Sequence, residues 1–149
     1  IGVRLVGSEM CIRDRLYMKN NIRIVCVDFD GTIVEHSYPD IGNPKNDAFE
    51  VLSELKEAGC KIILWTCREG ETLENAVEFC KQHGLEFDAV NEAIDDFRCS
   101  GLKRKPFADY YIDDRNIGGL PDWETIRGIL FSPDPDLEIE KLKNLYESD

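Results

Sequence analysis

No apolar run in the sequence approaches the roughly 20 residues that a membrane-spanning helix needs, so it offers no transmembrane helix. Positive charge is scarce. Against 30 Asp and Glu stand only 18 Lys and Arg, a formal net charge of −12. Such a chain lacks the basic field that displaces counterions from a phosphate backbone. That disfavours nucleic acid as a partner, and an anionic membrane surface equally. A small anionic substrate stays open, provided local cations reverse the field at one site. Cys11, Cys26, Cys60, Cys67, Cys80 and Cys99 are scattered, with no Cys-x-x-Cys and no His-x-x-x-His, so the usual zinc arrangements are missing. Several fall inside apolar runs, where a thiol behaves as a small hydrophobe, and they are expected as free thiols of a reducing cytoplasm. No internal repeat is visible.

What is present suits one domain. The chain has 149 residues, 42% of them hydrophobic. A chain of this size buries roughly 68–70% of its unfolded surface, enough for a core without metal or disulfide staples. Residues 1–17 show no helical or alternating period. Their first fifteen, IGVRLVGSEMCIRDR, resemble translated sequencing-adapter read-through, so 1–17 are set aside as an adapter-like, non-native segment and Met18 is read as the natural start. Residues 18–131 form the expected domain. An acidic tail covers 132–149, with Leu137, Leu142 and Leu145 marking one weak amphipathic turn of a loosely docked helix.

Within the domain, strand and helix alternate. Residues 22–27 are a short β-branched run suited to a central strand. Asn43-Pro44 predicts a helix start, Ala48, Val51, Leu52, Leu55 and Ala58 recur at helical spacing, and Gly59 ends the run. Lys61 to Thr66 reads as a strand, and Leu73, Ala76, Val77 and Cys80 mark a second helix closed by His83-Gly84. Phe87 to Val90 and Phe107 to Ile112 read as strands, and Trp123 to Leu130 as a helix. Strands alternating with helices across short loops predict an α/β fold: a three-layer, Rossmann-like parallel sheet with right-handed crossovers.

Ligands in such sheets bind beyond the carboxyl ends of the strands. Those ends carry Asp28-Phe29-Asp30-Gly31-Thr32, Thr66-Cys67-Arg68, Asn91-Glu92 and Asp113-Asp114-Arg115. Two like charges roughly 4 Å apart cost about 4 kcal/mol at an effective dielectric of roughly 20. A cluster of acids therefore calls for a cation or a proton, and oxygen-only ligands suit Mg²⁺. Asp28 and Asp30, two apart, face the same side while the chain stays extended. One can serve as a nucleophile while the other holds a proton for a leaving oxygen. That division fits phosphoryl transfer through a covalent aspartyl phosphate.

Four segments carry a resemblance. Val27-Asp28-Phe29-Asp30-Gly31-Thr32-Ile33, Trp65-Thr66-Cys67-Arg68, Lys105-Pro106 and Tyr111-Ile112-Asp113-Asp114-Arg115 are similar, in order, to the four motifs of the haloacid dehalogenase superfamily. The resemblance implies Asp28 as nucleophile and Asp30 as general acid and then base, with its backbone carbonyl on Mg²⁺. It implies Thr66 on the transferring phosphoryl group and Lys105 neutralising nucleophile and phosphate. Asp113, with Asp114 beside it, would complete a magnesium site with Asp28 and Asp30. Lys105 lies close before the fourth strand, so Lys103 and Arg104 are its substitutes. Arg68 and Arg115, just past strand ends, together with Thr32, are candidate substrate-binding residues.

The spans between Thr32 and Thr66 and between Thr66 and Lys105 each hold one helix and one strand, which leaves no room for a cap domain. An open site is expected, roofed by the loop 33–43, with His36, Tyr38 and Asp40 as candidate selectors and a neighbouring subunit as one means of closing it. The expected function is a cytoplasmic, Mg²⁺-dependent phosphomonoester hydrolase acting on a small sugar phosphate or related metabolite. The alternatives are a nucleotide or polynucleotide-end phosphatase, a receiver-like phospho-acceptor domain and a catalytically idle interaction module. The order of strand-end acids conflicts with the receiver arrangement. His83, Trp65 and Trp123 are read as structural, and Glu69, Glu71, Glu74 and Glu78 as solvated surface.

Overall fold

The computed structural model describes residues 23–95 and 104–147. Along them run β1 (Ile24–Val27), α1 (Ala48–Glu57), β2 (Lys61–Leu64), α2 (Gly70–Gln82), β3 (Ala89–Val90), β4 (Tyr110–Ile112), α3 (Trp123–Leu130) and α4 (Pro135–Glu147). The strands form one parallel sheet in the order β3-β2-β1-β4. One row across it reads Ala89, Ile63, Cys26, Tyr111. β1 is central and wholly buried, as its β-branched composition requires. No helix among the described residues is long and apolar enough to cross a membrane.

Topology decides which face each helix covers. β1, β2 and β3 step in one direction across the sheet, so right-handed crossovers put α1 and α2 on the same face. There Val51, Leu52 and Leu55 of α1, Ala76 and Cys80 of α2, and Trp123, Ile126 and Leu130 of α3 bury Val25, Val27, Ile62 and Leu64. Full burial of each large aliphatic side chain contributes about 2 kcal/mol. The return from β3 to β4 crosses β2 and β1, so it must run over the opposite face. Ile94, Phe107 and Ala108 of that connection indeed pack there on Ile24, Cys26 and Ile63. Among the described residues, this connection and Trp65 cover the second face; residues 96–103, in the middle of the connection where the third layer is expected, lie outside the described residues.

Several boundaries move. The helix expected to open at Asn43-Pro44 starts at Ala48. Residues 34–44 instead fold back on themselves, with the Glu35 amide donating to the Asn43 carbonyl at 2.8 Å and Lys45 to that of Ile33 at 2.9 Å. At the other end of α1, Gly59 (φ 96°) permits a left-handed turn, and the Cys60 amide donates to Leu55 at 2.9 Å. The fourth strand begins at Tyr110 rather than Phe107. The tail forms α4, tied to the sheet by the Tyr110 hydroxyl donating to Asp136 at 3.0 Å. Cys26, Cys60 and Cys80 are buried free thiols and Cys67 is exposed. Residues 1–17, with Cys11, and residues Cys99 and Lys103 lie outside the described residues.

Candidate active site

At the carboxyl end of β1 the chain leaves the sheet at once. The Asp28 amide donates to the Ile112 carbonyl at 3.0 Å, and the next turn is closed by Ile33 donating to Phe29 at 3.0 Å. Alternation and register put Asp28 on the same sheet face as Cys26, and Asp113 on that face through Tyr111. There Asp28, Asp113 and Asp114 each bring an oxygen within 4.8 Å of the other two. Gly31 makes this approach possible. Its φ is 82°, and a Cβ there would overlap the Asp114 carboxylate, lying 2.8 Å from Cγ. Burial first, and then repulsion from Asp113 and Asp114, push the Asp28 carboxyl up from 3.8 to about 7, against the Phe29 amide and Thr32 hydroxyl that favour its charge.

The three carboxylates open into a cavity of about 250 Å³ that also receives Asp30, Thr66, Arg68 and Arg115, with His36 and Tyr38 on its loop side. An all-oxygen trio at this separation fits a hard divalent cation such as Mg²⁺. The structure thus brings together Asp28, Asp30, Thr66, Arg68, Asp113, Asp114 and Arg115. It separates their roles differently from the sequence reading.

Asp30 does not join the carboxylate trio. The chain is already turning at Phe29, so period-two geometry fails, and both Asp30 oxygens accept from Arg68 at 2.7 Å. Arg68 is correspondingly not a free substrate-binding cation: it is buried, with its donors engaged by Asp30 and by loop carbonyls. Thr32 is also corrected. It is fully buried; its hydroxyl donates to Asp28 at 3.3 Å and accepts from the Asp114 amide at 3.1 Å, so it positions two acids instead of touching substrate. Arg115 is exposed and lines the same cavity.

Lys105 is outside the cavity lining. Its ammonium sits over the Tyr111 ring, 4.1 Å from the centroid. The Tyr111 hydroxyl donates to the Pro106 carbonyl and accepts from the Ala108 amide at 3.2 Å, folding the segment before β4 back along the strand. That bend keeps Lys105 over Tyr111, on the face that carries Asp28 and Asp113. Arg104 is exposed.

Two supports were not assigned from the sequence. Asn91, at the end of β3 with φ 51°, accepts the Thr66 amide on Oδ1 at 2.8 Å and so sets the loop after β2. The Thr66 hydroxyl accepts the Arg68 amide at 3.2 Å, four residues before α2 begins at Gly70. Trp123, read as packing, also donates its Nε1 hydrogen to the Thr32 carbonyl at 2.9 Å. Asn91 stood out as a strand-end residue, but its partner and that of Trp123 lie 25 and 91 positions away, beyond any local signal. His83 stacks on Phe49 at 4.6 Å and is structural, as expected.

No family model matches the chain, and no curated protein matches it. A solved structure, that of a conserved protein coded by a locus of Bacteroides thetaiotaomicron, is similar to it at 44% identity and a TM-score of 0.72. The match covers 80% of this chain and 98% of that one. At that identity and coverage, the chain belongs to the family of this conserved Bacteroides protein.

Proposed function

We propose that the protein is a phosphomonoester hydrolase of the haloacid dehalogenase superfamily, dependent on Mg²⁺ and acting through an aspartyl phosphate on a small sugar phosphate or related metabolite. The observation that carries this reading is the convergence of Asp28, Asp113 and Asp114 within 4.8 Å, in a cavity that also holds Asp30 and Thr66. Asp28, Asp113 and Asp114 would hold the cation. When bound, Mg²⁺ neutralises charge, so that a phosphate dianion and the Asp28 carboxylate can approach each other.

The chain's own groups divide the remaining work. Asp28 attacks phosphorus in line, and the bond from phosphorus to the leaving oxygen breaks as Asp30 supplies that oxygen with a proton. Asp30 then takes a proton from water, whose oxygen attacks phosphorus, releasing phosphate and restoring Asp28. Thr66 orients the transferring group, and Arg115 at the rim with Lys105 on the same sheet face offsets the acidic field. Positioning and charge stabilisation supply most of the acceleration in such transfers.

The test is hydrolysis of a panel of sugar phosphates, nucleotides and phosphorylated oligonucleotides, with and without Mg²⁺. Turnover is expected with Mg²⁺ and not with chelator. Asp28→Asn is expected to fold normally and lose about 10⁴-fold or more in kcat. An Asp28→Asn protein that keeps most of its activity defeats the reading.

A further inference from the structure

Arg68 is more deeply buried than any other charged side chain described, with 1% of its surface exposed. A guanidinium in such a place must be paired. Its partners belong to two bodies. Nε and Nη2 grip both oxygens of Asp30, each at 2.7 Å. Nη1 and Nη2 donate to the carbonyls of Pro39 at 3.0 Å and Asp40 at 2.6 Å, in the loop over the cavity. The rings of Phe29 and Tyr38 lie 5.0 and 5.3 Å from the guanidinium carbon. One planar, five-donor group therefore joins an acid to a loop, which a lysine ammonium cannot reproduce.

We infer that Arg68 is a positioning residue that fixes Asp30 and the loop 36–42 as one unit, so that the Asp30 carboxyl meets the leaving oxygen only while the loop is seated. This rests on the phosphatase reading above and deepens it. It commits the enzyme to alkyl phosphates, whose alcohol cannot leave without a proton. In the first step a bond forms from an Asp28 oxygen to phosphorus. The old ester bond breaks with its electron pair on the leaving oxygen, and a proton that Asp30 has taken from solvent, on a carboxyl position the two Arg68 bonds leave free, goes to that oxygen. A p-nitrophenolate leaves without that proton, so its release does not depend on where Asp30 sits.

The experiment compares leaving-group release in single turnover, full-length enzyme in excess with Mg²⁺, for p-nitrophenyl phosphate and for the fastest alkyl phosphate of the panel. Arg68→Lys is expected to lose about 100-fold with the alkyl phosphate and less than about threefold with p-nitrophenyl phosphate. Asp30→Asn is expected to show the same bias, and the double variant to lose no more than Asp30→Asn alone, because the two residues act as one. Equal losses on both substrates, or additive losses in the double variant, overturn the inference. Should Arg68→Lys fail to fold, Tyr38→Leu decides. Tyr38 is 58% exposed, so its loss spares the core, and about a 10-fold loss confined to the alkyl phosphate is expected. A wild type that hydrolyses p-nitrophenyl phosphate but no alkyl phosphate overturns the inference alone. A wild type inert on both overturns the phosphatase reading and the inference with it.

Discussion

In the proposed reaction Asp28 has to lose a proton before it can ligate a cation or attack phosphorus, and its surroundings delay that loss. Burial and the neighbouring Asp113 and Asp114 raise its carboxyl from 3.8 to about 7. A carboxyl raised on folding contributes stability that is present below its unfolded value and lost as pH rises through the folded one. Without metal, therefore, Asp28→Asn should melt higher than wild type at pH 8 and close to it at pH 4. Melting curves in chelator at the two values check this; a variant no more stable than wild type at pH 8 contradicts it. Metal binding runs the other way, because the proton must leave first. Calorimetric Mg²⁺ affinity is expected to rise between pH 6 and 8 in the wild type. In Asp28→Asn that rise should largely vanish.

At the scale of the element, two glycines in left-handed turns do different jobs. Gly59 closes α1 with open space around its missing side chain. Gly59→Ala should cost about 1 kcal/mol in stability and leave turnover unchanged. Gly31 turns the chain out of β1 against the Asp114 carboxylate, so an added methyl group meets a member of the acidic trio as well as a strained φ. Gly31→Ala should weaken Mg²⁺ affinity by at least about 10-fold beside a stability loss of roughly 1–3 kcal/mol. Calorimetry with melts separates the two; equal effects of both substitutions on metal affinity would remove the special role of Gly31. The same contrast explains what was legible in the sequence. Apolar spacing from Ala48 to Leu55 announced α1, and Gly59 announced its end, because both signals are local. Pro44 misled about the start, since it pairs with Val34, and Asn43 with Glu35, across a fold-back of the loop. Asp28, Asp113 and Asp114 converge as their strand-end positions implied. The guanidinium of Arg68 on Asp30 was not visible, because it spans 38 positions and depends on where the chain turns at Phe29.

Across the whole molecule, the sheet separates chemistry from docking. The carboxyl ends of β1 and β4 carry the acids, while the edge of β4, α3 and the loop through Gly118 and Gly119 bound an apolar groove of about 360 Å³ beneath α4. Tyr110 opens β4 and fastens α4 through Asp136, two residues before Ile112 leads into Asp113. No residue of α4 lines the cavity of the acids. Ile139 and Leu142 are half-buried, so removing the helix costs burial of a few apolar side chains and uncovers Leu130 and Tyr110. A chain ending at Ser132 should therefore lose about 1–3 kcal/mol, melt several degrees lower and keep kcat within about twofold at 25 °C. Melting curves and steady-state rates on the same preparation test this. If kcat falls while the shortened chain stays folded, α4 reaches the acids through β4, and the separation between the two ends of that strand is wrong.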